Sequence, residues 1–364
     1  MSDDKQIQKA GEGSQQIQAK EMTINYHSGI SAAELSEILL KQGQFVREQC
    51  TEIANQVVDK RLKEFDKRLM SEFSEDESLM NSYKEPEFQL LSREAQLSAI
   101  VSERNSDYDL LTQLLVCHVK KGKNIKNRAA IHQAVKIVSE IDNDALCGLT
   151  VAHAFWHYFP MAMTCEKALK ILDDMFSKLI YQDLPAGKDW LEHLDILGIV
   201  HISSFVPMEM RKIGEYYSSI LSGIICTGIR AGSEDFKKAS DLLSESGISQ
   251  NCFIPNECLD GYYRLSINNE ESIDHLRVST GSSIAPLNEK QKQVIKQILG
   301  MYSNEPSMKR LAEERFVEKW NSFETLHKFK SWWEKTPYFV ITPVGRILAH
   351  TNAKRCDPKI PDLI

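Results

Sequence analysis

The residues with the clearest chemical potential lie in one uninterrupted basic stretch. From Leu110 to Ser139 the chain has no Asp or Glu, yet Lys120, Lys121, Lys123, Lys126, Arg128 and Lys136 all fall there. The tight part, Lys120 to Arg128, reads as a helix–loop–helix junction, with the next helix opening near Asn127. Lysines closing one helix complement its negative end, which is the plain account. The sharper account is anion binding by Lys120, Lys121, Lys123, Lys126 and Arg128, with the amides of the next helix adding to it.

Other candidates are thinner. His153 and His157 stand four apart in His-Ala-Phe-Trp-His, a spacing that puts two imidazoles on one helix face. Ala154 occupies the place where a zinc protease carries its glutamate, so packing beside Phe155, Trp156 and Tyr158 is the simpler reading. Ser322–Trp333 could serve as a recognition-type helix, with Lys328, Lys330 and Lys335 near phosphates and Tyr338–Ile341 as a wing strand. No phosphate-binding glycine loop, dinucleotide fingerprint or nucleophile elbow is present, and nothing in the chain calls for a metal or a cofactor.

The elements that must position these residues are helical. Ser31-Ala32-Ala33-Glu34 has the form of a capping box. After it Val46, Ile53, Val57, Leu62, Phe65 and Leu69 recur on one face, opposite a run of charges, which predicts one long amphipathic helix suited to self-association. The acidic run from Ser74 to Pro86 reads as a linker. Helix-period segments follow over 87–102, 107–121, 127–141, 143–158, 165–181, 188–200, 208–230 and 233–246. Residues 247–286 are less regular. The last helix is expected to open at Thr342-Pro343, threonine as cap and proline in the first turn. The fold class is therefore all-α or nearly so. It divides into a tail over 1–28, a long helix over 29–74, a central body over 87–286 and a small winged-helix-like module over 287–364.

Composition sets the class. The 364 residues carry a formal net charge of −7, with 42% hydrophobic and 26% charged residues, which suits a globular cytoplasmic protein and disfavours a dedicated nucleic-acid binder. The eight cysteines are scattered, none in Cys-x-x-Cys spacing, so free thiols are expected rather than a disulfide framework or a zinc site. Tyr216 to Ile229 is the most apolar run, but it is shorter than the roughly 20 residues a membrane span requires.

The polar N-terminal segment contains an echo, Gln6-Ile7-Gln8-Lys9-Ala10 and then Gln16-Ile17-Gln18-Ala19-Lys20. Gln16, Ile17 and Gln18 could stack in register through glutamine ladders and dry isoleucine contacts, or belong to a flexible tail. Gly11 to Ala19 resembles the amyloid-signalling segments of some bacterial immune proteins, which are similar to the RIP homotypic interaction motif; Lys20 stands where that motif has glycine. Most of the chain resembles an uncharacterised family of helical bacterial proteins, through Trp190–Gly198 and Ile341–Ala349. These motifs carry no catalytic residue, and the reading is a non-enzymatic bacterial interaction or signalling protein, of a stress or phage-defence system, that forms a homo-oligomer through its tail and long helix. A nucleic-acid-binding regulator, or an enzyme with a dispersed site, are the alternatives.

Overall fold

The computed structural model describes residues 30–48, 52–122, 124–202, 210–280 and 283–362. Gln16, Ile17 and Gln18, with the rest of the N-terminal segment, lie outside the described residues, as does Lys123.

Where one long helix is expected there are two, α1 (Ala32–Glu48) and α2 (Glu52–Phe73). Ser31 and Glu34 make the capping box, each side chain accepting the other's amide hydrogen. The two helices run antiparallel. Arg47 bonds Asp59 at 2.9 Å, and Gly43 sits so close to Leu62 that an added Cβ would touch its methyl at 3.5 Å. Folding back lets both apolar stripes serve the same chain: Leu35 and Leu39 enter one core with Phe65, Leu69 and Phe73, while Val46 packs with Val58 and Leu62.

The expected linker is also structured. Asp76 caps a short helix, α3 (Glu77–Ser82), and Leu79, Met80 and Tyr83 are buried. The Tyr83 hydroxyl then meets Ser92 at 2.8 Å on α4 (Pro86–Val101). Next come α5 (Asn105–Lys121), α6 (Ile125–Ile137), α7 (Asn143–His157), α8 (Cys165–Leu179) and α9 (Asp189–Ile196). A strand, β1 (Val200–Ile202), precedes α10 (Ile213–Ile220). The helix expected over 208–230 stops at Ile220, and a distant part of the chain packs just beyond it. At Gly223 an added Cβ would lie 2.5 Å from the Ile267 carbonyl, so another part of the chain occupies the space a further turn would need.

Residues from about 229 to 302 form a second core of their own. Three short strands, β2 (Ile229–Arg230), β3 (Phe253–Pro255) and β4 (Tyr262–Leu265), make an antiparallel sheet in the order β2-β4-β3. With α11 (Glu234–Glu245), the hairpin β5 (Arg277–Thr280) and β6 (Ser283–Pro286), and α12 (Glu289–Leu299), they enclose Ala239, Leu243, Leu265, Ile295 and Ile298. The boundary expected between 286 and 287 thus falls inside this cluster.

The chain then returns to the first core through α13 (Pro306–Asn321), α14 (Glu324–Trp333), β7 (Phe339–Ile341) and α15 (Pro343–Cys356). Strand β7 pairs antiparallel with β1, Val200 opposite Ile341, and so joins the central body rather than a second wing strand. On α14, Leu326, Phe329 and Trp333 are fully buried. Phe329 stacks on Phe176 with centroids 4.5 Å apart, and Trp333 lies 4.4 Å from Phe155. Such ring pairs add about 0.5–1.5 kcal/mol each beyond the area they bury.

The final helix is deeply enclosed. Thr342 caps α15 and Pro343 takes its first turn. Leu348 to Ala353 are all buried, so the helix is covered on every side. Gly345 permits the contact, since an added Cβ would come 2.3 Å from the Ile199 carbonyl. The protein is mostly helical, and among the described residues no helix is long and apolar enough to cross a membrane.

Candidate anion-binding cleft

The basic junction closes one side of a cleft between α5, α6 and the first turns of α15. Gly122 ends α5 with its N–H on the His118 carbonyl at 2.7 Å. Asn124 caps α6, its side-chain oxygen accepting the Lys126 amide at 2.9 Å. That amide and the Arg128 amide, which is bonded to the Asn124 carbonyl, are therefore engaged within the helix start.

The cleft has a volume of 660 Å³, with Lys120, Lys121, Asn124, Asn127, His157 and Arg346 among its walls and Ile131, Pro343 and Ile347 as apolar lining. A smaller cavity of 120 Å³ adjoins it, sharing Lys120 and Lys121 and bounded by His350 and by Lys354, which is ion-paired with Asp362. The Lys121 ammonium nitrogen is buried and has no hydrogen-bond partner among the described residues. A buried polar atom left unpaired costs about 1–3 kcal/mol, and more when charged, so an anion beside Lys121 would recover a substantial sum.

Three imidazoles stand behind this wall. His153 is fully buried, with neither ring nitrogen partnered, and burial holds it well below the ordinary histidine range. It stacks on His157 at 4.2 Å and meets His350 edge-on at 6.1 Å. His350 is pushed down to about 4, first by burial and then by Lys121 and Lys354. Its Nδ1 lies 2.6 Å from the Tyr158 hydroxyl, whose own pKa burial raises. The hydroxyl stays protonated, so it can donate to Nδ1 of the tautomer that carries its proton on Nε2, or accept from Nδ1–H of the other. At His157 one tautomer is fixed. Its Nδ1 lies 2.9 Å from the His153 carbonyl and so carries the proton, which leaves Nε2 of the neutral ring as an acceptor. Lone pair and cations thus border one cavity.

Of the residues singled out in sequence, Lys120 and Lys121 line this cleft. Lys126 is exposed and does not. Arg128 belongs elsewhere, on Glu87 at 2.8 Å. Arg346 and His350 escaped notice, because only the fold carries α15 to the junction; His157 was in view, but without its neighbours.

The self-association face needs correction. Val46, Leu62, Phe65 and Leu69 are buried within their own chain, so those four are not free to meet a second copy. Val57 is exposed, and the Ile53 side chain lies outside the described residues. On α14, Lys328 and Lys330 form ion pairs with Glu324 and Glu334 along the helix, which offsets the cations assigned to nucleic acid. The cysteines other than Cys50, which lies outside the described residues, are free thiols.

No curated protein and no solved structure matches the chain. A family model described only as ":-like" matches residues 29–361, and the chain is a member of that family.

Proposed function

We propose that this is an interaction or signalling protein whose helical body takes a small phosphate-bearing molecule in the cleft between α5, α6 and α15. The observation that carries the reading is the convergence of Lys120, Lys121 and Arg346 on the walls of a cavity of 660 Å³, with the Lys121 ammonium buried and without a hydrogen-bond partner among the described residues. That volume lies within the roughly 300–1,000 Å³ of ordinary ligand pockets. Its apolar walls suit a ligand with a planar or hydrocarbon body joined to its phosphate. The setting in bacterial defence rests on the resemblance of the N-terminal segment alone.

Equilibrium dialysis against pyrophosphate and ATP at low salt tests this. Saturable binding is expected, with Lys121→Ala and Arg346→Ala each weakening it by roughly tenfold or more. A wild-type protein that binds neither at millimolar concentration, or variants that bind as well as wild type, would overturn the proposal. Retention on duplex nucleic acid without small-molecule binding would favour the regulator reading instead.

A second reading has its own support. His157 borders the same cavity, and with its Nδ1 proton on the His153 carbonyl it keeps an acceptor nitrogen, which a general base requires. On this reading the bound ester is hydrolysed, and phosphate release falls in His157→Gln while binding persists.

A further inference from the structure

On the other side of the α5–α6 pair a different group of residues converges. We propose that Glu87, His118 and His132 form a binding site for a divalent first-row transition metal of the zinc class. Each comes from a different helix: Glu87 from the first turn of α4, His118 from α5 and His132 from α6. Their ligand atoms all lie within 4.8 Å of one another. His132 Nε2 stands 3.5 Å from a Glu87 carboxylate oxygen, and the imidazole centroids are 5.4 Å apart.

The decisive observation is that Nε2 of both histidines is buried and makes no hydrogen bond among the described residues. One such nitrogen is a local cost of packing. Two of them meeting at one carboxylate are placed as ligands are. Two imidazoles and a carboxylate are a donor set for zinc and its neighbours, whereas calcium and magnesium take oxygen ligands. Bonds of about 2.0–2.1 Å in tetrahedral geometry set donor atoms about 3.4 Å apart, so the group closes in by about an ångström on metal binding.

The surroundings fit the assignment. Arg128 bonds the second Glu87 oxygen, Oε2, at 2.8 Å, leaving Oε1 toward the histidines. A ligating carboxylate fixed in this way is the usual outer-shell arrangement. Glu87, Arg128, His132 and Lys136 also border an open cavity of 450 Å³, through which an ion can enter and a water or substrate oxygen can complete the coordination. Arg128 and Lys136 repel an incoming cation, so affinity in the micromolar range is expected rather than the far tighter binding of a closed structural site. The inference is independent of the cleft reading, since it shares no residue with that cavity.

The full-length protein, stripped with a chelator, should bind one equivalent of Co²⁺ with the visible absorption bands of a four- or five-coordinate ion. Zn²⁺ should displace it. His118→Ala, His132→Ala and Glu87→Gln should each weaken binding by roughly tenfold or more, whereas His201→Ala, at an exposed histidine, should not. X-ray absorption on the zinc-loaded wild type should show nitrogen and oxygen neighbours with imidazole scattering, and this reading does not depend on the variants folding. Binding that survives both histidine substitutions, absence of stoichiometric binding, or sulfur in the coordination shell would each overturn the assignment.

Discussion

Two helical hairpins, α1–α2 and α5–α6, are built alike and treat buried charge in opposite ways. In the first, Asp66 is drawn into the interior, and Gln96 donates to it at 3.1 Å while Arg47 lies near. Two of its arginines are matched too: Arg47 with Asp59, and Arg68 with Glu64 and Asp109. In the second, the Lys121 ammonium is buried without a hydrogen bond among the described residues, and so are two histidine nitrogens on the far side, of which His132 Nε2 faces Glu87 at 3.5 Å. A hairpin whose charges are answered within the chain is complete as structure. One whose charges are not answered is shaped toward something outside it.

The comparison can be broken at its strongest point first. If the α1–α2 face serves only its own chain, Phe65→Ala should cost about 3–5 kcal/mol, read by urea unfolding, and the loss should not vary with protein concentration. A loss that shrinks on concentration would mean that this face also holds a second copy.

Next in size is Lys121→Met. Replacing an unpaired buried cation by an apolar chain of similar length should raise stability by about 1–3 kcal/mol in the absence of ligand, while abolishing pyrophosphate binding. If stability falls instead, Lys121 is already satisfied by structure, and the contrast between the hairpins is lost.

The pH dependence sharpens the contrast, because the two buried groups pull in opposite directions. Burial raises Asp66 from 3.8 to about 6, against the pull of Gln96 and Arg47. An acid raised in the folded state lowers stability at neutral pH, and that penalty is relieved as pH falls through 6 toward 3.8. Asp66→Asn should thus add about 1–2 kcal/mol at pH 8 and little at pH 4. His350 behaves the other way. Its folded pKa of about 4 lies below the ordinary 6.5, so its contribution is present above 6.5 and lost as pH falls through 4. His350→Gln should therefore flatten the acid side of the stability profile, where Asp66→Asn steepens it. Thermal melts across that range measure both.

The smallest effect belongs to Val57. Its side chain is 50% exposed, so Val57→Ser should change stability by less than about 0.5 kcal/mol. A larger loss, with a change in sedimentation, would point to a partner on that exposed position.

Much of the helical framework is legible in the sequence because its punctuation is local. Ser31 with Glu34, Ser233 with the Phe236 amide, and Thr342 with Pro343 each mark a helix start through contacts spanning a few residues. The fold-back between α1 and α2 has no such mark, since the apolar stripe continues across it and reads equally well as one helix. The end of α10 depends on a carbonyl at Ile267 pressing on Gly223, a contact that no local pattern contains. The cleft and the His–His–Glu group were hidden for a further reason. A run of basic residues is contiguous in sequence, but a helical hairpin deals its members to different faces, Lys121 to α15 and Arg128 to Glu87. Arg346, His350 and Glu87 complete those faces from distant positions.

The place of α15 has a consequence for how the protein is made. Tyr158 reaches His350 across 192 positions, and Thr150 reaches Asn352 across 202. Translation proceeds at about 5–20 residues per second, so α5, α6 and α7 emerge many seconds before the helix that fills the space among them. Until then their apolar surfaces are open to other nascent chains, and local helix formation alone cannot close them. During each round of synthesis the chain therefore passes through an intermediate that lacks its central helix. A ribosome stalled short of residue 343 would release a chain whose helices have formed but whose centre is missing.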